Sequence, residues 1–262
     1  MNEETGAGTG SRGIEGLATP LEALAAPPPG VDQEIDPDDE MYRPGRRDLY
    51  FELGASALRA VRVALLAAGK EEPQRILDFP SGHGRVLRML KAAFPGAALA
   101  AGDLNRAGVD FCQRKFGAAP IYSGLHPEEV EIDGRFDLVW CGSLLTHLDL
   151  DRWDGFFALL ADSVANGGLF VFTAFGRYPA RRIRTGEMLY ALGANGARQI
   201  LEGFDRAGFG YSDYEGQTMS GMSLTSPAWV CARLAGREDL QLVGYTERAW
   251  FGHQDVIAVM KV

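Results

Sequence analysis

Hydrophobic runs of strand length alternate with amphipathic stretches of helix length over most of this chain. A helical pattern of apolar residues begins at Asp48, which we expect to cap the helix, and ends at Gly69. Five hydrophobic runs follow as predicted strands, at residues 75–79, 98–103, 120–123, 136–141 and 169–175. Helical patterns separate most of them, at residues 85–93, 106–116 and from Asp149 or Asp151 to the Asn166-Gly167-Gly168 turn. Because strands that alternate with helices form right-handed crossovers, the pattern predicts an α/β fold with a mainly parallel sheet.

The periodicity is lost between residues 176 and 225, where only residues 197–207 fit a helix. A segment of this length inside a regular α/β pattern is typical of a functional loop, so we expect an insertion that forms a lid or an acceptor site. A helical pattern at residues 227–234 and two adjacent strand-like runs, 240–250 and 255–262, complete the chain. We predict seven strands in one mostly parallel sheet, with helices on both faces and the last two strands as an antiparallel pair.

Length and charge limit the possible classes of protein. Of the 262 residues, 46% are hydrophobic, which is enough for one buried α/β core without a second large domain. The net charge of −9 comes from residues 1–40, which contain ten carboxylates and one arginine and leave 25 acidic and 25 basic residues in the rest. Gly, Ala, Pro and acidic residues dominate that segment, so we predict a disordered tail followed by one domain at residues 41–262. The electrically balanced domain argues against binding of nucleic acid.

Several other classes are also disfavoured. No apolar run reaches the roughly 18 residues of a membrane-spanning helix, and the first 30 residues lack the basic start and apolar centre of a secretory signal. We therefore expect a cytoplasmic protein with no membrane partner. Cys112, Cys141 and Cys231 lie far apart without metal-ligand spacing, so we expect reduced thiols, no disulfide framework and no metal site.

The strongest chemical signal is the turn that follows the first predicted strand. The run Ile76-Leu77-Asp78 leads into Gly82 and Gly84 and then into a helix, so the backbone can approach a ligand and the helix presents free amide groups. Asp103 ends the next strand, where a carboxylate can accept both hydroxyl groups of a ribose. A pyrophosphate-binding turn has a third glycine three residues after the second, but Leu87 stands there, so a nucleoside is favoured over a dinucleotide.

These residues resemble the first two motifs of the class I S-adenosylmethionine-dependent methyltransferases. The resemblance covers residues 48–262 and includes the segment Phe136-Asp137-Leu138-Val139-Trp140-Cys141-Gly142-Ser143 and the Asn166-Gly167-Gly168 turn. It implies a Rossmann-like fold of seven strands, S-adenosyl-L-methionine as the cofactor and a small-molecule acceptor. One position departs from the family: in Asp78-Phe79-Pro80-Ser81-Gly82-His83-Gly84, Pro80 replaces the first glycine, fixes φ and removes a backbone donor.

By this resemblance the cofactor would bind at the carboxyl ends of the strands. Asp78 would orient the methionine ammonium and Asp103 would hold the ribose, while Leu104 would pack on adenine, near a polar contact from Ser123. The residues that would line the methionine portion and the sulfonium are Phe79, Pro80, Ser81, Gly82, His83, Gly84, Trp140, Cys141, Gly142 and Ser143. Methyl transfer from a sulfonium is an in-line displacement, so it requires neither a nucleophilic residue nor a metal.

Two histidines are candidate catalytic bases. His147 follows the fourth predicted strand, and His253 lies where the last two strands turn, close to Asp255. Each also has a structural interpretation, as a helix cap or packing residue for His147 and as part of a hairpin turn for His253. His83 either contacts the carboxylate of the cofactor or is an exposed turn residue.

A run of arginines lies in the irregular segment, at Arg177, Arg181, Arg182 and Arg184. It either holds an anionic ligand group or forms a solvated helix face. For the acceptor we favour an oxygen of a metabolite or a sugar, because the domain is not basic, the insertion is modest and the family analogy points the same way.

Two alternative functions stay open. One is a nucleotide-dependent oxidoreductase that uses Asp78 and Asp103. The missing third glycine and the terminal strand pair argue against it. The other is a non-catalytic binding protein that keeps the cofactor fold. Pro80 and the lack of an evident catalytic base support this interpretation.

Overall fold

The computed structural model describes Leu24 and residues 26–262. Its strands, numbered in chain order, are β1 Arg75–Asp78, β2 Ala98–Asp103, β3 Ala119–Tyr122, β4 Phe136–Cys141, β5 Val164–Ala174, β6 Phe209–Asp213, β7 Gly221–Thr225, β8 Leu240–Trp250 and β9 Gln254–Lys261. Seven of these strands form one sheet in the order β3-β2-β1-β4-β5-β9-β8, and β6 pairs with β7 separately. Neighbours from β3 to β5 are parallel, whereas β9 is antiparallel to both β5 and β8. The predicted seven-stranded sheet with a C-terminal antiparallel pair is confirmed.

Helices cover both faces of the large sheet or belong to the insertion: α1 Arg47–Ala67, α2 Leu87–Ala93, α3 Arg106–Phe116, α4 Leu150–Asp162, α5 Arg177–Arg184, α6 Gly193–Ala207 and α7 Pro227–Ala235. Alternate residues of the central strands enter different cores, so Ile76 packs with α1 and α2 while Leu77 packs with α4 and α7. Both side chains are fully buried. This two-sided burial explains why β1 is a continuous hydrophobic run.

Most predicted boundaries agree with the structure because local capping signals set them. The side chain of Asn105 accepts a hydrogen bond from the Gly108 amide at the start of α3, and Gly117 ends that helix in the left-handed conformation with φ 70°. Asp149 caps α4 in the same way. At α1 the expectation was wrong: the helix begins at Arg47, so Asp48 lies in its first turn and does not cap it.

Strand β5 begins at Val164, five residues earlier than predicted, and includes the Asn166-Gly167-Gly168 run. Phe136 pairs with Val164 and Leu138 pairs with Leu169, so the register shifts between them. The extra residues form an irregularity in the strand where the pattern predicted a turn before it.

The insertion at residues 176–225 contains α5, α6 and the β6–β7 hairpin. Its buried apolar residues form a small core of their own, which is made of Phe175, Ala180, Ile183, Leu192, Ala197, Ile200, Met222 and Leu224. The hairpin is tied to the large sheet, because the Thr225 amide donates to the Phe175 carbonyl and the Ser223 hydroxyl donates to the Leu145 carbonyl at 2.7 Å. Its role as a lid or an acceptor site stays a prediction.

The predicted disordered tail covers residues 1–40, of which residues 1–23 and Ala25 lie outside the described residues. Residues 26–40 differ from that prediction, since they contact the domain. The buried guanidinium of Arg88 donates to the carbonyls of Asp32 and Glu34 at 3.1 and 2.6 Å, and Lys115 forms ion pairs with the carboxylates of the same two residues. Any residue type supplies a carbonyl, so composition does not reveal this contact. We call residues 31–41 the strap.

Candidate functional site

A cavity of about 300 Å³ opens at the carboxyl ends of β1, β2 and β4. This position lies between β1 and β4, where the strand order reverses direction, and open α/β sheets bind ligands at such a point. Eight residues of the predicted cofactor site line the cavity: Pro80, Ser81, Gly82, His83, Asp103, Trp140, Gly142 and Ser143. We call this cavity the cleft.

The loop between β1 and α2 forms the floor of the cleft. The Ser81 amide donates to the Gly102 carbonyl at 2.8 Å, and the Gly84 amide donates to the Ser81 carbonyl at 2.9 Å. The peptide bond between Phe79 and Pro80 is cis. Gly84 has φ +77°, and a Cβ there would lie 2.5 Å from the Phe116 ring, so both the backbone conformation and the space require glycine. At Gly82 the space beside the backbone is open, which leaves room for a ligand.

Asp103 stands at the rim of the cleft, at the end of β2. One carboxylate oxygen accepts from the Gly82 amide at 2.7 Å, and the other accepts from the Asn105 amide at 2.8 Å. Burial raises the pKa of Asp103, and these backbone hydrogen bonds partly oppose the rise. The carboxylate therefore links the loop to β2 and keeps further lone pairs for a ligand.

Asp78 lies at the end of β1, beneath the loop. It is 1% exposed, and neither carboxylate oxygen has a hydrogen-bond partner among the described residues. Burial and the nearby charge of Asp103 raise the pKa of Asp78 well above its usual value, while the Leu87 backbone and the positive charge of Arg85 partly oppose the rise. A buried carboxylate without a partner is costly, so this position calls for a cationic or hydrogen-donating ligand group.

The other predicted cofactor residues do not line the cleft. Phe79 and Cys141 are buried beneath it, where burial also raises the pKa of the Cys141 thiol, and Gly84 belongs to the loop but lies beside the Phe116 ring. Leu104 is 54% exposed, and the Ser123 hydroxyl donates to the Gly124 carbonyl. Lining residues that the sequence reasoning missed are Asp39, Glu40, Met41, Arg85, Val86, Asn105 and Trp250.

The strap forms one wall of the cleft. The buried Asp39 carboxylate accepts from the Tyr50 hydroxyl at 2.7 Å and lies 4.0 Å from Nδ1 of His83. The His83 ring is 3% exposed and packs near Phe111, so the expectation of an exposed turn residue at His83 is wrong. No sequence motif marks Asp39, because its contacts come from residues that are distant along the chain.

Ser143 follows β4 and has φ +66°, a left-handed conformation that is unusual for a residue other than glycine. A hydrogen-bond network holds it. The Ser143 amide donates to Oγ1 of Thr173 at 2.9 Å, Thr173 donates to the Gln254 side chain at 2.6 Å, and Gln254 donates to the Ser143 hydroxyl at 2.6 Å. Thr173 is fully buried, so the network fixes the wall of the cleft beside Gly142.

His147 lines the cleft from a short 3-10 turn after β4. Its Nδ1 lies 3.0 Å from the Gly221 carbonyl oxygen and 2.8 Å from the Tyr214 hydroxyl. A carbonyl only accepts hydrogen bonds, so Nδ1 carries the hydrogen and Nε2 carries the lone pair. Burial lowers the pKa of His147, and the Gly221 hydrogen bond partly offsets this. The insertion hairpin thus contacts Nδ1, and burial favours the neutral form of the His147 ring.

His253 does not line the cleft. Its ring packs against the rings of Phe175, Tyr178 and Tyr190, with centroid distances of 5.4, 5.7 and 5.6 Å. Burial lowers the pKa of His253, and the positive charges of Arg182 and Arg248 add to this effect. The neighbouring Asp255 is fully buried and accepts from the Tyr245 hydroxyl, which is a structural role.

Three of the four clustered arginines form ion pairs at the surface: Arg177 with Glu247, Arg182 with Glu187 and Arg184 with Asp205. Arg181 and Arg248 lie near the Tyr178 ring. Within the described residues there is no group of three or more His, Cys, Asp or Glu side chains that could hold a metal ion. Among helices of the same part of the chain, none has the length and apolarity needed to cross a membrane.

Residues 77–170 match the family model described as a methyltransferase domain. Two curated relatives are malonyl-[acyl-carrier protein] O-methyltransferases. The one from Chlorobium phaeovibrioides is 35% identical over 131 residues, which cover 46% of this chain and 48% of the relative. The one from Anoxybacillus flavithermus is 26% identical over 163 residues, or 62% of each chain. This chain thus spans about half the length of the first of these relatives and about three fifths of the second.

Solved structures with the same fold include an S-adenosylmethionine-dependent methyltransferase from Clostridium acetobutylicum, with a TM-score of 0.55 over 81% of this chain and 92% of that chain at 14% identity. An amino pentose methyltransferase from Micromonospora echinaspora has a TM-score of 0.54 over 84% of this chain and 98% of that chain, also at 14% identity. At this level of identity the likeness is one of fold.

Proposed function

We propose that this chain binds S-adenosylmethionine in the cleft and transfers the methyl group to an oxygen of a small metabolite or sugar, because residues 77–170 match a methyltransferase domain and the fold is that of solved S-adenosylmethionine-dependent methyltransferases. The observation that carries the proposal is the unpartnered carboxylate of Asp78, which is buried at the switch point of the sheet, beneath a glycine-containing loop. The names of the two curated relatives, both O-methyltransferases, support an oxygen acceptor.

The groups around the cleft fit the parts of this cofactor. Asp78 would attract the methionine ammonium, because its oxygens have no partner among the described residues. Asp103 would accept the ribose hydroxyls, since each of its oxygens holds a single backbone hydrogen bond at the rim. The open space at Gly82 lets the ligand approach the loop backbone closely. The cofactor supplies an electrophilic methyl group on a sulfonium, and the protein aligns the acceptor with it.

For a hydroxyl acceptor we propose His147 as the general base. Its Nε2 carries the lone pair and has no hydrogen-bond partner among the described residues, and the ring lines the cleft. The acceptor hydroxyl would give its proton to Nε2 as its oxygen takes the methyl group. The Gly221 carbonyl would stabilise the imidazolium that forms, through the hydrogen on Nδ1. The insertion then acts as part of the acceptor site, because its hairpin sets the tautomer of this base.

Calorimetric titration with S-adenosylmethionine and S-adenosylhomocysteine tests the cofactor proposal. We expect the wild type to bind both ligands and Asp103→Ala and Asp78→Ala to bind them more weakly. Asp205→Ala is the matched control, because that carboxylate pairs with Arg184 at the surface. Absence of binding in the wild type would refute the proposal, and a parallel titration with NADH then tests the oxidoreductase alternative.

Transfer itself is measured with isotope-labelled methyl groups against a panel of hydroxyl and carboxylate acceptors. We expect label in the product of at least one oxygen acceptor. Cofactor binding without transfer to any acceptor class would favour the non-catalytic alternative.

A further inference from the structure

A second cavity, of about 230 Å³, opens between helix α5 and strand β8, and arginines dominate its wall. The residues that line it are Arg177, Tyr178, Arg181, Glu247 and Arg248, and we call it the arginine pocket. Arg177 forms an ion pair with Glu247, so these two charges cancel. Arg181 and Arg248 take part in none of the ion pairs found among the described residues. The arginine pocket therefore keeps two positive charges that no described carboxylate neutralises.

The backbone around Arg248 holds this side chain in the pocket. Arg248 has φ +59°, a left-handed conformation that is unusual for a residue other than glycine, in the part of β8 where the register with β9 shifts. Its amide donates to the buried carboxylate of Asp255, and its Nε donates to the Gly252 carbonyl, both at 2.9 Å. Strained backbone of this kind is concentrated at active sites and ligand clamps. The two terminal nitrogens of the guanidinium are the donors that stay available to a ligand.

The Tyr178 ring brings the second arginine beside the first. The guanidinium carbon of Arg248 lies 4.0 Å from the centroid of that ring, and the guanidinium carbon of Arg181 lies 5.6 Å from it. Cations within about 6 Å of an aromatic centroid are attracted to the face of the ring. Two like charges that would otherwise repel each other thus share one ring, and an anion that contacts both would relieve the repulsion.

The charge of the arginine pocket favours one class of anion. A phosphate monoester carries a charge of about −1.5 to −2 at neutral pH, which matches two free guanidinium groups. A carboxylate carries a single negative charge and would leave one guanidinium without a counterion. Phosphate oxygens also accept the two parallel hydrogen bonds that a guanidinium can donate.

A line of aromatic rings connects the arginine pocket to the cleft. The ring centroid of His147, which lines the cleft, lies 6.2 Å from that of Phe175. The His253 ring follows at 5.4 Å from Phe175, and the Tyr178 ring at 5.7 Å from His253. Three ring contacts therefore separate the proposed base from the pocket. An acceptor that spans them is elongated, with its anionic group at one end and the methylated hydroxyl at the other.

We infer that Arg181 and Arg248 bind the phosphate group of a phosphorylated acceptor. The inference rests on the proposed function, because it places the hydroxyl of the same acceptor at His147. It also divides the run of arginines for which the sequence left two interpretations open. Arg182 and Arg184 pair with surface carboxylates, whereas Arg181 lines the pocket.

The site is tested first by binding, with phenyl phosphate, benzoate and phenol as probes. Ligand-observed NMR titrations near neutral pH and at constant ionic strength measure the three affinities, with excess S-adenosylhomocysteine added so that the cofactor does not compete. We expect phenyl phosphate to bind about 3- to 10-fold more tightly than benzoate, because it carries the second charge, and phenol to bind most weakly.

Variants locate the binding. Arg181→Gln and Arg248→Gln should each lower the affinity for phenyl phosphate about 3- to 10-fold, between the effect of an exposed ion pair and that of a charge-assisted hydrogen bond. Arg184→Gln is the matched control, since this arginine of the same helix pairs with Asp205, and it should bind like the wild type. Arg181 is exposed and its side chain forms no hydrogen bond with the described residues, so Arg181→Gln keeps the test decisive if Arg248→Gln does not fold.

Three results of the binding experiment would overturn the inference. A wild type that does not bind phenyl phosphate has no phosphate site. Equal affinity for phenyl phosphate and phenol would show that the ring is bound and the phosphate is not. Unchanged affinity in Arg181→Gln would place the bound phosphate elsewhere on the protein.

The assignment to the acceptor is tested by methyl transfer to sugars and to their phosphate esters. We expect a higher kcat/KM for the esters, and Arg181→Gln should raise their KM about 3- to 10-fold with kcat unchanged, because the phosphate is bound away from the reacting oxygen. Equal kcat/KM for esters and parent sugars would overturn the assignment and leave the proposed function standing. If phenyl phosphate binds as expected and neither series is methylated, the proposed transfer to sugars fails and the assignment to the acceptor fails with it, while the phosphate site itself is retained.

Discussion

The substitution Asp78→Asn should stabilise the ligand-free protein while weakening cofactor binding. Asp78 is fully buried, and its oxygens have no partner among the described residues, so the ionised side chain costs free energy that a neutral amide of the same shape avoids. For a buried polar group without a partner that cost is about 1–3 kcal/mol. In a protein of this size each kcal/mol corresponds to a rise in Tm of about 2–4 °C.

The pH dependence of this gain has a definite sign. The pKa of Asp78 is higher in the folded protein than in the unfolded chain. The stability that the protonated acid contributes is therefore complete below the pKa of the unfolded chain, and it is lost as the pH rises through the pKa of the folded protein. Asp78→Asn does not ionise. Its advantage in Tm should therefore be absent in acid, grow as the pH rises to the folded pKa, and level off above it.

Thermal unfolding at several pH values, with and without S-adenosylhomocysteine, measures both effects. A ligand at 100 times its Kd stabilises the wild type by about 2.7 kcal/mol, and the variant should gain less because the ammonium loses its carboxylate. Asp137→Asn is the matched control: that carboxylate accepts from the amides of Gln74 and Arg75, so the change should be neutral or destabilising at every pH. A ligand-free Asp78→Asn protein that is less stable than the wild type at pH 8 would refute the reasoning.

Three further predictions concern the loop, the network beside it and the base. Gly84→Ala should lower the free energy of unfolding by about 1–3 kcal/mol, because the new Cβ would meet the Phe116 ring. Gly82→Ala should lower it by about 1 kcal/mol, for the positive φ alone, and equal losses in urea titrations of the two variants would contradict this. Thr173→Val should cost about 1–3 kcal/mol, since it removes the partner of the Ser143 amide and of Gln254, and an unchanged unfolding midpoint would count against the network. With a hydroxyl acceptor, wild-type kcat should rise with pH through the lowered pKa of His147 and level off above it. In His147→Gln this pH-dependent rise should be absent, and kcat should fall about 10²- to 10⁴-fold. A variant with the wild-type pH profile would exclude His147 as the base.

The fold was predictable because its determinants are local. The adjacent apolar residues Ile76 and Leu77 predict a strand that is buried on both faces. Asn105 and Asp149 are capping residues at the helix starts that the structure shows. Residues 77–170 match a methyltransferase domain, and the predicted Rossmann-like fold is confirmed. The resemblance started from Asp78, Gly82, Gly84 and Asp103, which lie close together in sequence as well as in space.

The rest of the site could not be predicted because distant segments form it. Asp39 reaches the loop from the strap, and Gln254 reaches Ser143 across 111 positions of the chain. The tautomer of His147 depends on the Gly221 carbonyl, a group that every residue has. Arg85 lies next to the recognised motif, but its place in the wall of the cleft is visible only in the structure.

The strap bears on how this protein is shortened for expression. A version that begins at residue 45 would keep every numbered helix and strand and would pass any check of secondary structure. It would nevertheless lose the cleft wall at residues 39–41 and two acceptors of the buried Arg88, at a cost of about 1–3 kcal/mol for each donor left unpaired. Truncation should therefore stop upstream of Val31.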